Sequence, residues 1–367
     1  MSFARFMDLA LYDPAGGYYS RSGVDRIGPR GDFVTASDCG SWFGRALARQ
    51  LAEIDRRTGP HAPFDVVELG PGRGLLARDV LDALARDHPA LATRVRYRLV
   101  ERSAALREAC RALVPEGETL APEELGGGHR GALLAVELFD ALPVRRLRRR
   151  GARLLEVRVG LDAAGGLAEV EVPAEDVLQE LARRHGAAAC DGCEAELAPA
   201  AGETLEAAAR AFERGVFVIV DYGDDARHLY GHERAGGTLL AYHRHSVSRD
   251  YLERVGEQDL TAHVDFSALE QRAREIGLAV LGRTSQDRFL IANGVLEAFE
   301  PSRCGRDVGV ADVKRRLQVL QLIHPAAMGR SFQVLLLAKG CDPPPALDGL
   351  RDPFARDGAG GPRLPDA

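Results

Sequence analysis

The stretch FDVVELGPGRGLLARD, from Phe64 to Asp79, restricts the fold more than any other part of this chain. Phe64 to Leu69 is apolar and short, as a buried strand should be, and Leu76, Val80 and Leu84 then recur at helical spacing. Glycines at 70, 72 and 74 separate the two patterns. A strand that passes so quickly into a helix begins a βα unit, and the unit repeats. VRYRLVE (95–101) is a second strand, followed by a helix capped by Ser103 and striped by Leu106, Cys110 and Leu113. ALLAVE (132–137) and GVFVIVDYG (215–223) are further strands, the latter apolar enough to be central. DFSALEQRAREIG (265–277) is a helix, and LAVLGRT and SFQVLLLAKG are two last strands. This alternation specifies an α/β fold, a sheet with helices on both faces.

Glycine spacing separates the possible ligands of the first turn. A phosphate-binding P-loop needs G-K-[ST], which is absent. A dinucleotide fingerprint, G-x-G-x-x-G, would need glycine where Leu75 stands. The pattern here is G-x-G-x-G at Gly70, Gly72 and Gly74, two residues after Glu68. That arrangement points to S-adenosylmethionine. Glycine lets the backbone approach the ligand, and the free N–H groups of the following helix suit its carboxylate. Glu68 can hold the ligand's ammonium, and Glu101, closing the second strand, can accept both ribose hydroxyls.

Ligands of open α/β sheets lie beyond the carboxyl ends of the strands. Two more strands end in acids there, at Glu137 and Asp221. Asp140 follows Glu137 by three residues, so both can face one cleft as orienting or catalytic carboxylates for a cationic acceptor. Further along, Asp221, His263 and Asp265 are candidates for the acceptor side. The histidines at 243, 245 and 263 form no compact ligand set, and methyl transfer needs no metal; none is expected.

The chain has 367 residues, 46% hydrophobic and 28% charged, enough for a large α/β core with insertions. A net charge of -6 argues against a nucleic-acid carrier, and the basic run from Arg145 to Arg153 reads as a strand face or hairpin edge. Neither a signal segment nor a membrane-length apolar stretch appears, so a cytoplasmic enzyme is expected. Cys190 and Cys193 read as reduced thiols in a surface turn. Residues 1–60 are expected to form a lid and one helix starting near Ser41, with the glycine-rich segment from Ala10 to Asp38 irregular. Gly31, Asp32 and Thr35 of that lid would fold over the cofactor. Residues 61–145 and 213–340 form the core, 146–212 an inserted cap with a hairpin, and 341–367 a disordered tail.

Together, FMDLALYDPAGGYY, GDFVTASD, VVELGPGRGLLARDVL, ELFDALPV, VDYG, GEQDLTAHVDF and TSQDRFL resemble the MidA-type methyltransferases, bacterial relatives of the mitochondrial arginine methyltransferase of complex I assembly. The resemblance runs from about residue 2 to residue 339. It implies a class I methyltransferase fold, a Rossmann-like seven-stranded sheet whose last strand is antiparallel, and methylation of protein arginine. The family's asparagine before the third-strand glutamate is replaced by Val136. The helix that members place before SFARFMDLALY is not in this sequence, which implies either a shortened start or a less anchored lid. The expected partner is a protein substrate, with a homodimer left open and neither nucleic acid nor membrane. Two alternatives remain: a small-molecule N- or O-methyltransferase, and a cofactor-binding assembly factor without turnover.

Overall fold

Short apolar runs become strands because each is buried on both faces, and β1 (Phe64–Leu69) is buried at all six positions. In the computed structural model, which describes residues 1–21, 26, 28, 31–59, 63–300 and 309–355, β1 pairs in parallel with β2 (Val95–Val100) and β4 (His129–Val136). β2 pairs in parallel with β3 (Glu118–Leu120), and β4 with β5 (Phe212–Asp224). β6 (Ala279–Ser285) and β7 (Phe332–Lys339) complete the order β6-β7-β5-β4-β1-β2-β3. β7 runs antiparallel to both its neighbours. This is the expected class I sheet, with the two-residue strand Val264–Asp265 added beside β5.

Among the described residues the α-helices of seven residues or more are α1 (Phe3–Tyr12), α2 (Trp42–Thr58), α3 (Leu75–Asp87), α4 (Ala104–Leu113), α5 (Asp176–His185), α6 (Pro199–Ala211), α7 (Phe266–Glu275), α8 (Gln286–Ala292) and α9 (Val310–Ile323). One face of the sheet packs under α2, α3, α8 and α9. There α2 and α3 cross at Gly44, where a Cβ would lie 2.7 Å from the Cβ of Asp79. The opposite face packs under α6 and α7.

Two excursions leave the sheet. The first, between β4 and β5, is a four-stranded antiparallel cap sheet in the order Leu167–Pro173, Arg153–Leu161, Arg145–Arg150, Glu194–Leu197. Arg145–Arg150 reads RRLRRR, and its one leucine, Leu147, enters the cap core with Leu178 and Ala182 of α5. On the other face Arg146, Arg148 and Arg150 pair with Glu169, Glu171 and Glu194. The basic run is therefore neutralised by cross-strand acids. The second excursion, after β5, is a small antiparallel sheet of Ser246–Ser248, Leu240–His243 and Asp259–Thr261. Its strands have three or four residues each, too short to show a period in the sequence.

Three expectations are corrected. The N-terminal forty residues contain the ten-residue helix α1, capped by Ser2 and burying Phe3, Phe6, Met7, Ala10 and Leu11 at helical spacing. It packs against Val159 of the cap and Tyr251 and Leu260 of the second excursion, giving the N-terminal segment a core of its own. The tail is not structureless as far as residue 355: Leu347 is buried in the main core, and the N–H of Asp348 donates to both carboxylate oxygens of Glu53 at 3.0 and 2.9 Å. The remainder of that expectation, 356–367, lies outside the described residues. Cys190 and Cys193 are joined as a disulfide across their turn, not held as two thiols. Among the described residues no helix is long and apolar enough to cross a membrane.

Candidate active site

Where β1 ends, the chain turns through Gly70 at φ +66°, Gly72 at +55° and Gly74 at +82°, a left-handed succession natural only to glycine. A Cβ on Gly70 would lie 2.8 Å from Leu138 Cδ1. Gly74 closes the turn with its N–H on Pro71 O at 2.8 Å, and α3 starts at the next residue. The turn is tied to the neighbouring strand end: Gly72 N–H donates to Glu101 Oε2 at 3.3 Å, and Ser103 N–H to Oε1 at 2.7 Å. Each carboxylate oxygen keeps a lone pair for a further donor.

Above this turn lies a cavity of about 680 Å³, lined by Glu68, the turn residues Gly70 and Gly72, Glu101, Glu137, Asp140 and Asp259 among others. Glu68 accepts from the Tyr97 hydroxyl at 2.6 Å. Glu137 holds φ +53°, in the left-handed region, and its N–H donates to Val220 O at 2.9 Å. Its Oε1 accepts the N–H of Ala36 at 2.8 Å, which fastens the lid over the cavity. Asp140 Oδ1 and the Tyr222 hydroxyl are buried without a well-formed hydrogen bond. Asp259 accepts from the Tyr19 hydroxyl at 2.9 Å.

Burial sets the electrostatics. It raises Glu137 to about 8, Glu68, Glu101 and Asp259 to about 7, and Asp140 to about 6, against hydrogen bonds that act the other way. The arginines of the lining are engaged elsewhere, Arg73 by Asp38 and Arg102 by Asp8 at 2.6 Å. A site with this much unneutralised acid is complementary to a cationic ligand.

Not every expected residue lines the cavity. Glu68, Gly70, Gly72, Glu101, Thr35, Glu137, Asp140 and His263 do. Gly74 sits one step back, as the start of α3. Asp32 is directed away from the cavity: it accepts from the Tyr18 hydroxyl at 2.8 Å and from Arg244 N–H at 2.6 Å, joining the lid to the second excursion. Asp221 lies beneath the floor, where Oδ2 accepts from the N–H groups of Leu138 and Phe139 at 3.1 and 2.8 Å and so fixes the segment that carries Glu137 and Asp140. Asp265 caps α7 through Ala268 N–H at 3.0 Å and faces a different cavity. His263 lies edge-on to Tyr222 and beside Arg234; burial, then that cation, lowers it to about 4, so it stays neutral. Tyr19, Tyr222, Tyr242 and Asp259 also line the site and were not selected from the sequence. Only the paired tyrosines at 18 and 19 and the acid of GEQDLTAHVDF offered a signal, neither with a spacing rule to interpret it.

Comparison with known proteins gives concordant findings. A family model described as "Putative S-adenosyl-L-methionine-dependent methyltransferase" matches residues 46–284. The mitochondrial protein arginine methyltransferase NDUFAF7 of Rattus norvegicus is 30% identical over 329 residues, covering 80% of this chain and 71% of that protein. Its Homo sapiens counterpart is 29% identical, covering 92% and 80%. A crystal structure from Burkholderia thailandensis, a "likely methyl transferase" bound to S-adenosyl-homocysteine, superposes with a TM-score of 0.84 at 31% identity, over 95% of this chain and 90% of that one.

Proposed function

This chain belongs to the family of S-adenosyl-L-methionine-dependent methyltransferases, and we propose that its acceptor is an arginine side chain of a protein. The cofactor is S-adenosylmethionine, and the residues present fit it: a glycine turn open to close approach, a cavity of about 680 Å³, and acids at the ends of β1 and β2. When bound, the cofactor supplies an electrophilic methyl group on a sulfonium. The backbone of Gly70 and Gly72 receives it, Glu68 holds the ammonium, and Glu101 accepts from the ribose hydroxyls.

The observation that carries the acceptor reading is the second group of acids lining the same cavity, Asp140 and Asp259, both buried, and Glu137, half-buried. An arginine side chain offers five N–H donors in a planar fork, which two or three carboxylates can hold in one orientation. Its guanidinium has no free lone pair, so a proton must leave as the nitrogen gains its methyl. Glu137, raised to about 8 by burial, is the strongest base of the three and takes that proton. Orientation supplies most of the remaining acceleration. The names of the mitochondrial relatives support the same acceptor.

The test uses Glu137→Gln, which keeps an oxygen for Ala36 N–H and so preserves the lid contact. Proteins from cells lacking this chain are incubated with purified enzyme and labelled cofactor, then analysed by mass spectrometry. The expected result is a methylated arginine whose formation falls about a hundredfold in Glu137→Gln, with cofactor affinity nearly unchanged in calorimetry. Label found only on small molecules, or no S-adenosylhomocysteine with any fraction, overturns the proposal.

A further inference from the structure

A second cavity, of about 350 Å³, lies between the cap and the α6–α7 face of the core. That volume is within the range of small-ligand sites, about 300–1,000 Å³. Leu181 of α5, Leu197 of the cap sheet and Leu269 of α7 give it apolar walls. Four carboxylates line it, Glu196, Glu203, Asp265 and Glu275, and two of them have one buried oxygen without a well-formed hydrogen bond: Glu196 Oε1 and Asp265 Oδ2. Glu196 is 6% exposed, and its other oxygen accepts from Thr238 N–H and the Thr238 hydroxyl at 2.7 and 3.0 Å. The other oxygen of Asp265 is used in capping α7.

The cations near this pair do not neutralise it fully: Arg146, opposite Glu196 across the cap sheet, is held by Glu169 and Glu194. Arg272 is held by Glu206 and Glu275, and Arg184 lies 3.6 Å from Glu275 and 3.8 Å from Glu180. His185 Nδ1 stands 3.8 Å from Asp265 Oδ2, beyond hydrogen-bond distance. Leaving two carboxylate oxygens buried and unpaired is costly unless a cation completes them. Apolar walls around an acidic end match a cation carried on an aliphatic stem. The cavity also adjoins the candidate active site: His263 lines both, and consecutive residues of α6 divide between them, Glu203 to this cavity and Thr204 to the other.

We propose that this cavity is a subsite for a second basic side chain, arginine or lysine, of the same protein whose target arginine enters the first cavity. The inference rests on the arginine acceptor proposed above. It makes the cap a reader of acceptor sequence: a pair of basic residues at a fixed separation engages both cavities together.

Synthetic peptides test this directly, without turnover. Peptides carrying one arginine, or two separated by two to eight residues, are titrated into the protein saturated with S-adenosylhomocysteine. The expected result is a separation at which the two-arginine peptide binds at least tenfold more tightly than the single-arginine peptide. Asp265→Asn, in which asparagine still caps α7, and Glu196→Gln should each abolish that gain and leave single-arginine binding unchanged. Melting curves establish that each variant is folded, and either one suffices if the other is not. No gain at any separation, or a gain that survives both substitutions, overturns the proposal. So does free agmatine, an amine with a guanidinium and no peptide, occupying the Asp265 site without competition from the two-arginine peptide. Failure of the arginine acceptor reads differently: single-arginine binding would then be indifferent to Glu137→Gln, while an Asp265-dependent gain could still appear.

Discussion

At Gly72 the backbone is held at φ +55° while its N–H reaches Glu101, so the glycine turn and the acid proposed for the ribose are one hydrogen-bonded unit. A valine there would carry a branched side chain in a conformation that disfavours it and would crowd the cavity. Gly72→Val should weaken S-adenosylhomocysteine binding at least tenfold, about 1.4 kcal/mol, while cooperative thermal unfolding persists. Calorimetry at undiminished affinity would remove this turn from the cofactor site. The glycine turn and the acids closing β1 and β2 were legible because they follow each other in the chain: strand, glycines, helix, then the acid at the next strand end; Asp32, directed away from the cavity, was not. The acceptor half was legible only in part. Tyr19 and Asp259 meet across 240 positions, and nothing local in either segment announces the other. Asp221 was marked as an acid at a strand end and Asp265 as an acceptor-side candidate, yet Asp221 Oδ2 serves backbone N–H groups beneath the site and Asp265 Oδ1 caps α7 beside it.

At the scale of elements, periodicity recovered most of the long helices and the central strands but left α9 (Val310–Ile323) unread, and composition misjudged the ends. Glycines and tyrosines after Ala10 obscured α1, although Phe3, Phe6, Met7, Ala10 and Leu11 form a proper apolar stripe once Ser2 is taken as its cap. Prolines at 343, 344 and 345 suggested a disordered tail, but proline excludes helix rather than order. What orders the segment is burial of Leu347 together with the contact of Asp348 with Glu53, a buried acid that would otherwise lack those donors. Leu347→Ala should therefore cost about 2–3 kcal/mol, the lower part of the range for a buried leucine. The melting temperature should drop by several degrees. A change of less than one degree in scanning calorimetry would mean that the tail is not part of the core. The short strands of the second excursion had no legible signal, because three residues do not establish a period of two.

For the whole molecule, the acids of the main cavity couple cofactor binding to pH. Glu68, Glu101, Asp259 and Glu137 are raised to between about 7 and about 8 in the folded protein, whereas unfolded carboxylates titrate near about 4. Between those limits the native state binds more protons than the unfolded state, so the cofactor-free protein loses stability as pH rises through the window. A bound sulfonium favours the ionised carboxylates and recovers part of that loss. S-adenosylhomocysteine, which lacks the sulfonium charge, recovers less. The gap in melting temperature between the two complexes should widen from about pH 5.5 to about pH 8. A gap that stays constant or narrows in differential scanning fluorimetry would show that Glu137 and Asp259 do not face the sulfonium.

Both excursions leave the sheet on one side of its midline, between β4 and β5 and after β5, whereas β1 and β2 carry the glycine turn and Glu101. The two halves of the chemistry are thus written in separate parts of the chain. On the proposed reading, substitutions in the cap or in the small sheet would reshape what is recognised without disturbing the glycine turn. Such a division favours evolvability: new targets can be explored by drift in the excursions while the donor side stays fixed. It also offers the protein engineer a place to graft, since residues 145–197 hold the four cap strands, which pair with one another and not with the central sheet.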